Sequence, residues 1–310
     1  MLFIFSSPPF YTRHVRLPTA DDPIPSKIHK NSKFFPFFKD AIGALDGSHI
    51  HSAPPASEQG SFQNHKGFIS QNCLFGCSFD LQFVYALTGW EGSATDARIY
   101  EDAESSDLDI SEGKYYLADA GFPLCDKLLV PYRNVRYHLA EWGCARVRYD
   151  FFLFILSQIT HLYNRPANKE ELFNLRHASA RNVIECIFGV LKRRFRILLL
   201  APEYNLDIQA CIPTALCAIH NFIYEHDPID KPPKPDNASG SCSDDYDTTD
   251  SEQDEAAATM MELEEESDAS RRRDHIAQMI WVEYQRICAE QGIQDSDDSD
   301  DDTDGDSDSE

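Results

Sequence analysis

Charge divides this chain into a part that can bury a core and a part that cannot. Residues 231–310 hold 26 of the 52 Asp and Glu residues but only 6 of the 28 Lys and Arg. That stretch therefore carries −20 of the net −24, and residues 1–230 are left near neutral at −4. Residues 228–269 are rich in Pro, Ser, Asp and Glu, and 295–310 are Asp/Ser repeats. Such segments have too little apolar surface to offset the entropy of ordering, and their like charges repel, so a disordered acidic C-terminal tail is expected over 228–310. One island interrupts it. Ile276, Met279, Ile280, Tyr284 and Ile287 recur at helical spacing, which predicts a short helix over about 271–291.

The core must then come from the residues ahead of the tail, enough chain for one good hydrophobic interior. Residues 1–40 are rich in Pro and aromatics and read as an extended lead-in, with a short helix near Lys33–Asp40. Ala41–Ser52 reads as a buried strand. Phe68–Phe79 and Leu81–Trp90 are β-rich runs separated by Asp80 alone, which predicts an antiparallel hairpin. A helix is expected over Ala94–Ala103 and a fourth strand over Lys114–Ala118. In Glu170–Arg196, Leu172, Leu175, Val183, Ile184, Ile187, Phe188, Leu191 and Phe195 follow helical periodicity. A second helix, Asp207–Glu225, is expected to break near Pro213. Three strands, a helix, a strand and a long helix make an α/β layered domain over 41–227 with a mixed sheet.

Several function classes find no support. The nine cysteines include no Cys-x-x-Cys pair, so reduced thiols are expected rather than a disulfide framework or a structural zinc. The N-terminal apolar run, Met1–Phe5, and Phe151–Leu156 are both too short for a signal peptide or a membrane span. A soluble intracellular chain without membrane contact is expected. Walker loops, Gly-x-Gly-x-x-Gly and Gly-x-Ser-x-Gly are absent, which removes the motif support for nucleotide-fuelled and serine-hydrolase chemistry.

Four acids stand out instead. Asp46 follows the apolar run Ile42–Leu45, and Asp119 follows Tyr116–Ala118. Acids that end apolar strands suggest neighbouring parallel strands with both carboxylates at one sheet edge, although an Asp-Gly turn explains Asp46 equally simply. Glu185 lies among Val183, Ile184, Ile187 and Phe188, where a charge is costly unless it is paired or bound to metal. Arg181, four residues earlier, can pair with it. Asp96 is a site candidate, yet Ser93–Asp96 also reads as a helix capping sequence. Clustered carboxylates are natural ligands for Mg²⁺ or Mn²⁺, and two such ions can support phosphodiester cleavage. Lys192, Arg193, Arg194 and Arg196 follow Glu185 on its helix. With Arg181 and Lys66 they are candidate DNA phosphate contacts, or else a solvated basic helix end. His49, His51 and His65 could be ligands or phosphate contacts but read more simply as incidental polar residues.

Five strings occur in order: Leu45-Asp-Gly-Ser-His-Ile50, Asn64-His-Lys-Gly67, Gly89–Tyr100, Ala118–Leu124 with Val130-Pro-Tyr-Arg133, and Arg181–Phe195. In this combination the chain resembles the PIF/Harbinger transposases and Harbinger-derived nucleases of the DDE superfamily, over about residues 5–228. The resemblance implies a ribonuclease-H-like fold with catalytic acids at Asp46, Asp119 and Glu185 and a further metal-proximal acid at Asp96. It implies Mg²⁺- or Mn²⁺-dependent cleavage of DNA, a nuclear location, and a Myb-like partner for import and end recognition. Two departures stand beside it. No helix-turn-helix region precedes the catalytic motifs, so autonomous recognition of transposon ends is not expected. The 66-residue spacing between Asp119 and Glu185 contains an apolar stretch at 149–164, readable as a retained intron or as a genuine insertion. An inactive, domesticated copy that binds DNA or protein is the alternative function.

Overall fold

The computed structural model describes residues 2–135, 165–227 and 267–290. Alternation and pairing build one mixed sheet from five strands: β1 (Ala41–His51), β2 (Ser70–Cys77), β3 (Phe83–Glu91), β4 (Tyr115–Leu117) and β5 (Leu128–Leu129). Their order is β3-β2-β1-β4-β5. The first three strands form an antiparallel meander, whereas β4 is parallel to β1 and β5 is parallel to β4. β2 is buried along its whole length, as a central strand covered on both faces should be. Successive residues feed opposite cores. Cys73, Phe75 and Cys77 join one cluster, while Leu74 joins the other.

Helices cover both faces. Helices α1 (Leu2–Phe5), α2 (Phe10–His14), α3 (Ser26–His29) and α4 (Gln59–Phe62) are short. The lead-in expected to be extended thus contains α1 to α3, and Val15, Ile28, Phe34, Phe37 and Phe38 belong to the main core. Residues 33–40 form turns rather than the expected helix, because Pro36 cannot supply a helical N–H in the middle of that stretch. Helix α5 (Asp96–Ser106) covers one face with Ile99, Tyr100 and Ala103. The opposite face is covered by α6 (Lys169–Arg194), α7 (Leu206–His226) and α8 (Asp268–Glu290). Asn168 caps α6 by accepting from the Glu171 amide at 2.8 Å.

Helix α7 does not break at Pro213. A proline there removes the hydrogen bond that the Gln209 carbonyl would accept. The buried Gln71 side chain on β2 supplies the missing donor, its Nε2 lying 3.0 Å from that oxygen. Gly89 permits the helix to approach β3. Its φ is +93°, and a Cβ there would lie 2.9 Å from the Ala210 Cβ. Helix α7 is long and apolar enough to cross a membrane by composition, yet here its buried face belongs to the core against the sheet. Gln71→Leu should orphan the Gln209 carbonyl and cost roughly 1–3 kcal/mol, measured as a lower urea midpoint at unchanged m-value.

Helix α8, Asp268–Glu290, is longer than the expected 271–291 and is no isolated island. Ile276, Ala277 and Ile280 are buried in the main core, and Met279, Trp281 and Tyr284 pack against it. The apolar stretch 149–164 and the acidic segments 228–266 and 291–310 lie outside the described residues.

Candidate active site

Sheet pairing brings Asp46 and Asp119 to the same level. The last parallel pair between β1 and β4 is Ala44 with Leu117, and each acid lies two residues beyond its member of that pair. The expected neighbouring strands are present, but Asp46 does not end its strand. β1 runs on to His51, held by β2 alone, with Asp46 opposite Phe75. Gly47 is therefore a strand residue and not a turn. Because β4 stops at Leu117, Asp46 overhangs its edge, and the strand on that side no longer covers it.

Alternation along β1 puts Asp46 on the face covered by α6. There Arg181 reaches it, with Nη1 2.9 Å from Asp46 Oδ2, while Nη2 lies 2.7 Å from Glu185 Oε1. The i,i+4 pairing legible in sequence is real. The second partner, 135 residues distant in sequence, was not legible. Arg181 is buried, Asp46 is mostly buried, and Glu185 is nearly half exposed. Burial pushes the Asp46 carboxyl well above its ordinary range; Arg181 opposes this, and the charges of Asp119, Asp96 and Glu185 push it further up. Three carboxylates therefore act on Asp46, and a single guanidinium bridges it to one of them, Glu185.

Asp96 arrives from the other face. Thr95, not Ser93, caps α5 and accepts from the Arg98 amide, so Asp96 is the first helical residue and its carboxylate turns toward the sheet. Asn72 Nδ2 holds Asp96 Oδ1 at 2.8 Å and the Ala94 carbonyl at 3.0 Å. A Cβ on Gly47 would come within 2.2 Å of Asp96 Oδ1, so the missing side chain is what admits this acid to the site. Gly47 and Asn72 were missed as site residues because one reads as a turn glycine and the other sits inside an apolar strand. Asp119 is held locally, its Oδ1 accepting from the Gly121 amide at 2.9 Å.

The cationic candidates divide. Arg181 faces the acids rather than an open surface. Arg194 Nη1 lies 2.9 Å from His220 Nδ1, which turns it toward α7. Lys192 is partly exposed, and Lys66, Arg193 and Arg196 are exposed. His49 Nδ1 pairs with Ser70 Oγ at 3.0 Å.

The donor types suit a hard divalent cation: four carboxylate side chains, net negative, with the Asp46 carboxyl driven upward first by burial and then by the charges of the other three. Among the described residues no three His, Cys, Asp or Glu side chains converge as a ready-made metal cage. Arg181 supplies the positive charge that joins Asp46 to Glu185 in this arrangement.

One turn before Arg181, the buried His177 donates from Nε2 to the Leu129 carbonyl at 2.8 Å and pins α6 to β5. Burial lowers its pKa to about 3. Its folded pKa lies below the unfolded value, so the unfolded chain binds the extra proton. The resulting stability is complete above pH 6.5 and lost as pH falls toward 3. Urea denaturation should show a loss of about 2 kcal/mol by pH 5 from this group, absent in His177→Gln.

A family model described as DDE superfamily endonuclease matches residues 45–221, which include all four acids. Putative nuclease HARBI1 of Bos taurus is 26% identical over 209 residues, covering 62% of this chain and 51% of the relative. The Homo sapiens protein of that name is 26% identical over 191 residues, covering 60% and 46%. Protein ALP1-like of Arabidopsis thaliana is 24% identical over 234 residues, covering 68% and 49%. The chain thus spans about half the length of the curated relatives it matches. No solved structure matches it.

Proposed function

The chain belongs to the DDE superfamily endonuclease family, and on that premise we propose that it is a transposase-derived nuclease that cuts DNA phosphodiester bonds with divalent metal ions. Members of this superfamily generally use such ions, and the strand order β3-β2-β1-β4-β5 supports a ribonuclease-H-like reading of the sheet. The observation that carries the proposal is the placement of Asp46 and Asp119 at one level, each two residues beyond the Ala44–Leu117 pair of neighbouring parallel strands, with Arg181 joining Asp46 to Glu185 and Asp96 seated against Gly47.

In this reading Asp46, Asp119 and Glu185 are the catalytic acids, and all four carboxylates would hold Mg²⁺ or Mn²⁺. The chemistry supplied by a bound ion pair is activation of the attacking water or hydroxyl and stabilisation of the leaving oxygen. The chain's own residues do the aiming. Asn72 fixes Asp96, the Gly121 amide fixes Asp119, and Arg181 orients Asp46 against Glu185. Lys66, Lys192, Arg193 and Arg196 would contact the DNA backbone, so binding should weaken steeply with salt. The same resemblance supports nuclear action beside a Myb-like DNA-binding partner. Supercoiled plasmid incubated with the purified chain tests the reading. Nicked circles should accumulate with Mn²⁺ and not with EDTA. Plasmid that is bound but never cut would favour a DNA-binding factor without catalytic activity.

A further inference from the structure

We propose that helix α8 is a positioning clamp for Asp119, fastening both flanks of the segment that carries it. Asp119 lies on the loop between β4 and β5, and the chain then continues through β5 to Pro131, Tyr132 and Arg133. Three consecutive residues of α8 grip this segment. Arg272 donates from Nη1 to the Asp126 carbonyl at 2.8 Å and from Nη2 to the Cys125 carbonyl at 2.9 Å. Its guanidinium also lies 4.7 Å from the centre of the Tyr115 ring on β4. Arg273 stacks 4.2 Å from the Tyr132 ring, and Asp274 accepts the Tyr132 hydroxyl at 2.5 Å. The first contact holds the loop before β5, and the next two hold the strand exit after it.

The hold passes from there to the acid. Asn174 of α6 clasps the Tyr132 backbone on both sides: its Oδ1 accepts from the Tyr132 amide at 2.9 Å and its Nδ2 donates to the Tyr132 carbonyl at 3.0 Å. Arg133 donates from Nε and Nη2 to the Ala120 carbonyl at 3.2 and 3.0 Å. Ala120 follows Asp119 directly, and the next amide, Gly121, bonds the Asp119 carboxylate. A two-residue strand such as β5, although buried, cannot by itself hold a loop still, because it offers few ladder hydrogen bonds. A paired Arg fork and a stacked aromatic give the loop the fixed frame that a metal-binding carboxylate needs. Helix α8 packs on α6, the helix that carries Glu185, so one clamp sets two of the acids relative to each other.

The bearing on catalysis rests on the nuclease reading, whereas the clamp itself can be tested apart from it. The test compares the full chain with Arg272→Ala, Asp274→Ala and the conservative Asp274→Asn, which keeps an acceptor for the Tyr132 hydroxyl. Native-state hydrogen exchange at the Gly121 amide reads the Asp119 contact directly. Exchange there should quicken about five- to tenfold in both alanine variants and stay near the parent rate in Asp274→Asn. In the nicking assay the alanine variants should lose kcat at unchanged KM for DNA. Unchanged exchange at Gly121 in Arg272→Ala would overturn the clamp whatever the cleavage result. Faster exchange in a chain that never cuts DNA would uphold the clamp and count against the nuclease reading instead. Uniformly faster exchange across β1 and β2 would mean general destabilisation and would also overturn it.

Discussion

Asp119→Ala all but abolishes Mn²⁺-dependent plasmid nicking, with a loss of at least about a hundredfold in rate, while the protein stays folded. The size follows from what the side chain would do. A carboxylate that helps hold the ions stabilises charge developing in the transition state, and removing one such contact typically costs about 3–4 kcal/mol or more of barrier. The fold should tolerate the change because the hydrogen bond Asp119 makes is local. Asp119 is only partly buried, and its oxygen accepts from an amide two residues away. A stability change within roughly 1 kcal/mol is expected. Thermal unfolding and nicking measured on the same preparation separate the two effects. Parent-like cleavage by Asp119→Ala removes this residue from the site.

Arg181→Ala gives the second large effect, and it acts on stability. The guanidinium bridges a buried carboxylate and a half-exposed one. The Glu185 arm is worth little because solvent screens it. The Asp46 arm is worth much more, since its loss leaves a largely buried carboxyl beside three other carboxylates without the guanidinium, to be met only by taking up a proton. Breaking a buried pair from one side costs roughly 3–5 kcal/mol. For a domain of this size that lowers Tm by about 10 °C. If these acids accept divalent ions, millimolar Mn²⁺ should raise the Tm of Arg181→Ala by more than that of the parent, because the ion supplies the charge the guanidinium supplied. Equal shifts in both proteins would separate Arg181 from the ion-binding cluster.

How much of this was legible in the sequence depended on how far apart the partners lie. Asp46 and Asp119 could be read because each follows an apolar run, and two such runs suggest parallel neighbours. The hairpin of β2 and β3 and the long helix α6 were legible because each carries a sustained period. Strand β5 was not, because two leucines ahead of a proline carry no period. The continuity of α7 was not, because the donor that tolerates Pro213 is Gln71, 138 residues away from the carbonyl it serves. Likewise the second partner of Arg181 and the docking of α8 depend on contacts more than a hundred residues apart. Asp96 was legible as an acid in a capping context, but only the fold shows that Thr95 takes the cap and releases Asp96 toward Gly47.

The account stands on the four carboxylates forming a divalent-cation site, and Mn²⁺ titration of the purified chain followed by electron paramagnetic resonance addresses that directly. The expected result is one or two saturable ions per chain, displaced by Mg²⁺ and lost when Asp46 and Asp119 are both changed to Asn. Binding that is absent, or that survives unchanged in the double variant, contradicts the site and with it the nuclease reading.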